Sequence, residues 1–421
     1  MMKYGLNDKP GLGPMLLYGL QWWVVSLPCV VIMGVVASRL HFSETGQQVF
    51  YLQKLFGLVG LATLAQIYLG HRLPLVIGPA TILLVGLTAS AASGVEALYT
   101  AMMVGGGVLA LTAASGQLTR VRRLFTPRIV TVILILIAFT LAPTILKLVL
   151  AGVDHQAGHL CFAVLTVMAM LLANQYLKGV WKSMTVLLGL VLGSLVYFLA
   201  FGLPEVRPYA PSAGGRLLLD HLDFNAGAVL SFLFCYLALA VNELGSIESI
   251  GHMLSADDMS GRVKRGVTVQ GLSNLASGAA GVIGPVSFSL SAGVIAATGC
   301  ASRHTLLPAG LGLVLCSFFP EAVLIFSLLP GAVMGALMLY LMSAQLASGL
   351  ILLVSERSVR NFNDGLTVGL PLMLGLIVSF APAAAFDGFP DLLRPIVGNG
   401  FIVGTITVIL MEHLIFAGRK D

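Results

Sequence analysis

Ile77-Gly78-Pro79-Ala80-Thr81, echoed by Ile283-Gly284-Pro285-Val286-Ser287, is the stretch on which the fold of this chain turns. Each copy sits where an apolar run should cross a membrane, and each holds a pair of residues that an ordinary helix does not accept. Pro fixes φ and lacks an N–H, and the Gly before it loosens the backbone. A small hydroxyl residue follows, a suitable helix N-cap. Both copies therefore read as an extended segment at mid-membrane depth that turns into a short half-helix. Irregular backbone survives at that depth only where protein or a polar cavity covers it. Two broken spans at corresponding points of two halves point to a transporter's substrate site.

The surrounding composition makes the membrane reading firm. Of the 421 residues, 57% are hydrophobic and only 10% are charged, against roughly 25% charged in ordinary soluble domains. The net charge of +5 is spread through connecting loops, so it gives no nucleic-acid surface. Cys29, Cys161, Cys235, Cys300 and Cys316 all fall in apolar runs without metal-ligand spacing and read as free, buried thiols. Met1 to Pro14 is polar and Gly-rich, and the apolar run after it is long enough to remain as an anchor rather than a cleaved signal.

Outward from the first broken span (about Leu73–Ala92), the runs before it are about Met15–Ser38 and Gln47–Leu69. After it come Ala97–Gln117, Ile129–Leu150, Leu160–Leu177 and Met184–Leu203. The polar loop from Pro204 to Asp223 is the midpoint. The second half opens with about Ala226–Leu254, then a weak span near Val267–Val282 and the second broken span, Gly284–Ala297. About Leu306–Phe326, Gly331–Val354, Gly365–Phe380 and Gly400–Phe416 complete it. The expectation is an all-α polytopic membrane protein of fourteen membrane elements, seven in each half. With the N-terminus inside, Lys3, Lys9, Arg72, Arg120, Arg122, Arg123, Arg128, Lys178, Lys182, Arg262, Lys264, Arg265, Arg303, Arg357, Arg360, Arg419 and Lys420 fall on the cytoplasmic side. Only Arg39, Lys147, Arg207, Arg216 and Arg394 fall outside, and Lys54 lies within a span. That bias supports the topology independently of hydropathy, with both termini cytoplasmic. An odd number of elements per half makes the halves inverted repeats.

Several stretches resemble the nucleobase–ascorbate transporters, the uracil/xanthine permease family. They are Gly19-Leu20-Gln21-Trp22 in the first span, Arg72-Leu73-Pro74, Leu188-Gly189 with Gly193, Pro330-Gly331 through Ser348-Gly349-Leu350, and Arg360-Asn361. The resemblance runs from about Tyr4 to Phe416. It implies a core domain of spans 1–4 and 8–11 (residues 1–118 and 224–326) and a gate domain of spans 5–7 and 12–14 (residues 119–223 and 327–421). It also implies a homodimer formed through the gate. The chain departs from the family pattern at several positions. Three residues before Gly245, where the family has a Glu, stands Asn242, with Glu243 next to it. The tenth-span motif reads Leu290-Ser291-Ala292-Gly293, so an apolar residue replaces a polar one. Trp22 stands where His is usual, and Thr81 where an aromatic often faces the substrate.

The candidate site residues follow from depth and chemistry. Glu243 is a carboxylate near the centre of a span, where a charge costs at least ~2.5–3.5 kcal/mol, so it should face a cavity and suits proton coupling. Asn242 and Ser246 share a helix face from which Glu243 is turned by about 100°. Either that face lines the site with Glu243 behind it, or a bulge swings Glu243 inward. Glu248 is a second candidate for coupling. Ala80, Thr81, Ser289, Leu290 and Ser291 mark the half-helix starts, where free N–H groups favour carbonyl or anionic ligand atoms. Gln21 offers both a donor and an acceptor to a base edge, and Phe288 a face to stack on a planar ring.

No HExxH, GxSxG or phosphate loop appears, and most histidines lie at span ends, so an enzyme is not expected, nor any cofactor or metal. The resemblance implies a secondary active transporter that moves a nucleobase (uracil, xanthine or a related purine) across the cell membrane by proton symport. A small-anion transporter of the same inverted fold, of the sulfate/bicarbonate type, is the alternative.

Overall fold

The computed structural model describes residues 2–118, 124–151, 155–203, 218–288, 291–390 and 392–416. The basic cluster Arg120, Arg122 and Arg123, the loop residues Arg207, Pro208, Pro211 and Arg216, the site candidates Ser289 and Leu290, and Arg419 and Lys420 lie outside the described residues.

The two echoed stretches are extended, as expected. β1 (Val76–Pro79) pairs antiparallel with β2 (Pro285–Phe288), Val76 opposite Phe288 and Pro79 opposite Pro285. The two prolines are equivalent residues of the two copies, so the local two-fold of the strand pair passes between them. Ala80 N–H extends the pairing to the Gly284 carbonyl at 2.9 Å. Gly78 is required here because a Cβ would lie 2.6 Å from Cε2 of the Phe288 ring, which rests on it. Helix α3 (Thr81–Ala89) leaves β1, and α11 (Ser291–Thr298) follows β2.

The first half supplies α1 (Leu12–His41), α2 (Thr45–Tyr68), α4 (Val95–Ala114), α5 (Pro127–Thr140), α6 (Ala142–Val149), α7 (Gln156–Tyr176) and α8 (Thr185–Phe201). The second supplies α9 (Ala226–Met253), α10 (Met259–Ala279), α12 (Leu306–Cys316), α13 (Pro320–Ser327), α14 (Gly331–Ser355), α15 (Phe362–Phe380) and α16 (Gly400–Leu410). Among the described residues eight helices, taking α5 and α6 as one, are long and apolar enough to cross a membrane. The pair α12–α13 adds a ninth span bent by 87° at a break before Pro320, whose ring cannot continue the helix.

Without water between them, membrane helices associate through close packing of small residues. α4 and α10 meet backbone to backbone: a Cβ on Gly106 would lie 2.6 Å from Leu275 N and 2.9 Å from Gly271 O. α2 and α12 do the same, a Cβ on Gly60 falling 2.7 Å from Gly310 O. Exchanging the two halves maps one of these pairs onto the other, which agrees with the two-fold at the prolines.

Some boundaries differ from the hydropathy reading. The weak span near Val267–Val282 is the end of a longer helix, Met259–Ala279, so Arg262, Lys264 and Arg265 sit on its first turns rather than in a loop. Its start is fixed by Asp258, whose Oδ1 accepts from Gly261 N at 3.2 Å, and by Arg262. The Arg262 guanidinium donates to the carbonyls of His71 and Arg72 at 3.0 Å and to Asp257 Oδ1 at 2.7 Å, which lets a charge be buried at the helix start. The cysteines are free but not all buried: Cys161 is exposed on α7 and Cys316 half-buried.

Candidate functional site

Because β1 and β2 run antiparallel, the two half-helices leave from opposite ends of the strand pair. The first N–H groups of any helix lack intrahelical acceptors, so each start presents donors and a positive dipole end.

β2 and the Ile283 N–H just ahead of it are held by side chains from three helices, α9, α10 and α2. The Glu243 carboxylate on α9, fully buried, accepts from Ser287 N at 2.9 Å and from Ser287 Oγ at 2.7 Å. Ser246, one turn on, donates its hydroxyl to the Ser287 carbonyl at 3.1 Å. On α10, Gln270 and Asn274 both donate to the Pro285 carbonyl, Asn274 at 3.0 Å. Tyr236 on α9 orients that amide by donating to Asn274 Oδ1 at 3.0 Å. Tyr51 on α2 accepts from Ile283 N at 3.0 Å and from the Tyr99 hydroxyl at 3.1 Å. β1 is tied by less: Ser291 Oγ accepts from Val76 N at 2.8 Å and donates to the Phe288 carbonyl at 2.8 Å.

α9 runs unbroken through Glu243, with no bulge. Glu243 and Ser246 turn together toward β2, and Asn242 remains half-buried on another face. Ser246 thus goes with Glu243, a pairing that neither orientation drawn from spacing contained. The hydroxyl residues do not act as N-caps. Ala80 occupies the cap of α3 without a side-chain bond, Thr81 is the first helical residue and half-buried, and the Ser287 hydroxyl serves Glu243. Phe288 is half-buried on Gly78, and Ala80 and Ser291 are buried. Gln21, on α1, keeps its Oε1 buried without a hydrogen-bond partner among the described residues. Its neighbour Trp22 donates Nε1–H to Thr305 Oγ1 at 3.0 Å, joining α1 to the start of α12. Glu248 is half-buried further along α9.

The sequence alone does not single out Gln270, Asn274 and Tyr51, and it offers Ser287 only as a helix cap. A signal was available: Gln270, Asn274 and Ser277 recur at three- to four-residue spacing in a span too polar to face lipid, so that face had to meet polar backbone. Among the described residues no three His, Cys, Asp or Glu side chains gather as a metal site. The arrangement is built to hold an extended segment rigidly between two helix N-termini, a recognition geometry rather than a bond-breaking one.

Comparison with known proteins gives the chain its relatives. A uric acid permease of Bacillus subtilis, PucJ, is 26% identical over 89% of this chain and 86% of its own. The nucleobase transporter PlUacP of Paenibacillus larvae is 26% identical over 93% of this chain and 92% of its own. Among solved structures, the transmembrane domain of the cyanobacterial bicarbonate transporter BicA superposes with a TM-score of 0.65, covering 91% of this chain and 97% of that one. At 16% identity, that likeness speaks for the fold alone. The family model described as Permease family, Xan_ur_permease, matches residues 13–384, and the chain belongs to this xanthine/uracil permease family of multi-pass membrane transporters.

Proposed function

We propose that the protein is a secondary active transporter that carries a nucleobase, such as uracil, xanthine or a related purine, across the cell membrane. The observation that carries this reading is the crossed pair of broken spans, with a buried carboxylate locked onto one strand, in a chain of this family. The fourteen elements form two inverted repeats. Residues 1–118 and 224–326 make a core and residues 119–223 and 327–421 a gate, against which the core moves in alternating access. Both termini face the cytoplasm, and two copies join through their gates.

A planar base presents ring N–H donors and carbonyl acceptors, and each one buried unpaired costs about 1–3 kcal/mol. The starts of α3 and α11, with Thr81, Ser289, Leu290 and Ser291, supply donors, and Ala80, whose own N–H is bonded to the Gly284 carbonyl, contributes apolar surface beside them. Asn242 and Gln21 supply amides that both donate and accept, and Phe288 an aromatic face. Gln21 Oε1, buried without a hydrogen-bond partner among the described residues, is an acceptor suited to a ring N–H of the base.

Proton coupling falls to Glu243. Ionised, it accepts two hydrogen bonds from Ser287. Once protonated it keeps one oxygen to accept from the Ser287 N–H and donates from the other, so the Ser287 hydroxyl must reverse to accept. Protonation is thereby transmitted to β2, directly ahead of the half-helix that contacts the cargo. Glu248 is the second carboxylate on the path.

The fold likeness to a bicarbonate transporter supports a second reading, a small anion held between the same helix N-termini. Uptake of radiolabelled bases and of bicarbonate or sulfate, with and without a proton gradient, separates the two. The proposal expects base uptake that the gradient drives.

A further inference from the structure

Asn399, Ser231 and Ser90 form a buried hydrogen-bond chain far from the strand pair. All three are at most 2% exposed, and they lie among apolar neighbours such as Phe232, Leu87, Phe401 and Ile402. Asn399 is the N-cap of α16, and its Oδ1 accepts from Phe401 N at 3.1 Å and Ile402 N at 3.4 Å. Those two donors fix which end of the amide is oxygen, so Nδ2 must point the other way. There it donates to Ser231 Oγ on α9 at 3.4 Å. Ser231 Oγ in turn shares a hydrogen bond with Ser90 Oγ, at the C-cap of α3, over 3.3 Å.

The chain thus joins the two elements that build the candidate site, α3 and α9, to a single element of the other body. α3 and α9 are one packed unit: a Cβ on Gly86 would fall 3.1 Å from the Phe232 ring and 3.2 Å from Cys235 Sγ. The same end of α9 is pressed against the other body, a Cβ on Gly227 lying 2.7 Å from the Leu392 carbonyl. An apolar contact there would hold equally well, but its surface would be exposed whenever it parted. Hydroxyl and amide groups exchange partners with water at small net cost. Buried polar groups kept at a seam between two bodies are the chemistry of a contact that opens and closes.

We infer that Asn399 is a positioning residue for transport, the gate half of a latch that closes over the ends of α3 and α9 and must part each time the site opens toward that side. The inference rests on the alternating-access reading above. It is tested in a chain whose five native cysteines are replaced, by joining paired cysteines with a short reducible bifunctional thiol reagent. With S231C/N399C the cross-link spans core and gate; with S90C/S231C it stays within the core. The expected result is loss of base uptake on cross-linking S231C/N399C, recovery on reduction, and unchanged uptake in cross-linked S90C/S231C. Full uptake by cross-linked S231C/N399C overturns the latch.

A second measurement needs no cargo, so it reads the latch even if the transported solute is not a base. Asn399→Ser keeps the cap oxygen but is too short to reach Ser231. Losing that one hydrogen bond should raise the rate at which an impermeant thiol reagent added outside labels a cysteine at Thr81 by about five-fold. An unchanged rate assigns Asn399 to capping α16 alone and overturns the inference. A wild type that takes up no base but keeps this labelling response removes the cargo assignment and leaves the latch standing.

Discussion

Replacing Glu243 with Gln tests how the proton is read. The wild-type carboxylate accepts from both Ser287 N and Ser287 Oγ. Gln keeps one carbonyl oxygen for the Ser287 N–H and turns its amide –NH₂ toward Ser287 Oγ, which rotates to accept. Both contacts survive with one polarity reversed, as they would in protonated Glu243. A hydrogen bond to a charged group is worth about 1.5–3 kcal/mol and a neutral one about 0.5–1.5, so over the two bonds the loss in stability should be about 2 kcal/mol. Glu243→Ala removes both acceptors and leaves two buried donors unpaired at about 1–3 kcal/mol each, and should unfold at a clearly lower temperature in the same detergent. In proteoliposomes, Glu243→Gln should exchange internal for external base as the wild type does, while losing accumulation driven by a proton gradient. Gradient-driven accumulation with the wild-type pH dependence in Glu243→Gln would refute the coupling role and turn attention to Glu248.

Asn242→Ala should raise KM for the base more than it lowers the maximal rate, and should leave proton coupling intact; an unchanged KM removes Asn242 from the site. Gly106→Ala places a methyl group 2.6 Å from the Leu275 N of the facing helix, too close for backbone to accommodate without shifting, and should destabilise by about 1–3 kcal/mol, read as a lower unfolding midpoint. Asp257 is held below the usual carboxylate range, first by its hydrogen bond from Arg262 and then by that residue's charge. A carboxyl lowered in the folded state stabilises above its unfolded value and loses that contribution as pH falls through its folded value. The melting-temperature gap between wild type and Asp257→Asn should therefore be constant near neutral pH and close on acidification; a gap that widens in acid contradicts the sign.

Much of the fold was legible because its strongest signals are local. Gly78-Pro79 and Gly284-Pro285 break the helix where they stand, whereas Pro28 and Pro371, without a preceding glycine, are carried inside helices. What escaped was set by tertiary contact. Met259–Gly266 is too polar to register as span, yet it is helical because Asp258 caps it and Arg262 finds the local Asp257 carbonyl and the carbonyls of His71 and Arg72, brought in from just ahead of β1. The site was half legible for the same reason. The depth of Glu243 marked it as buried and paired, but its partner, Ser287, is defined by the pairing of β1 with β2 and by the close approach of α9 to β2. Helical spacing places Asn242 with Ser246, whereas the strand draws Ser246 toward Glu243, a preference that no single-helix pattern encodes.

Uptake into proteoliposomes of purified protein tests the central claim most directly, with radiolabelled xanthine, uracil, uric acid, bicarbonate and sulfate compared under an inward proton gradient and after its collapse. Accumulation of at least one base that the gradient drives, that other bases inhibit, and that bicarbonate and sulfate leave untouched is the predicted result. Accumulation of bicarbonate or sulfate with no uptake of any base would contradict the account and assign the strand-paired half-helices to a small anion.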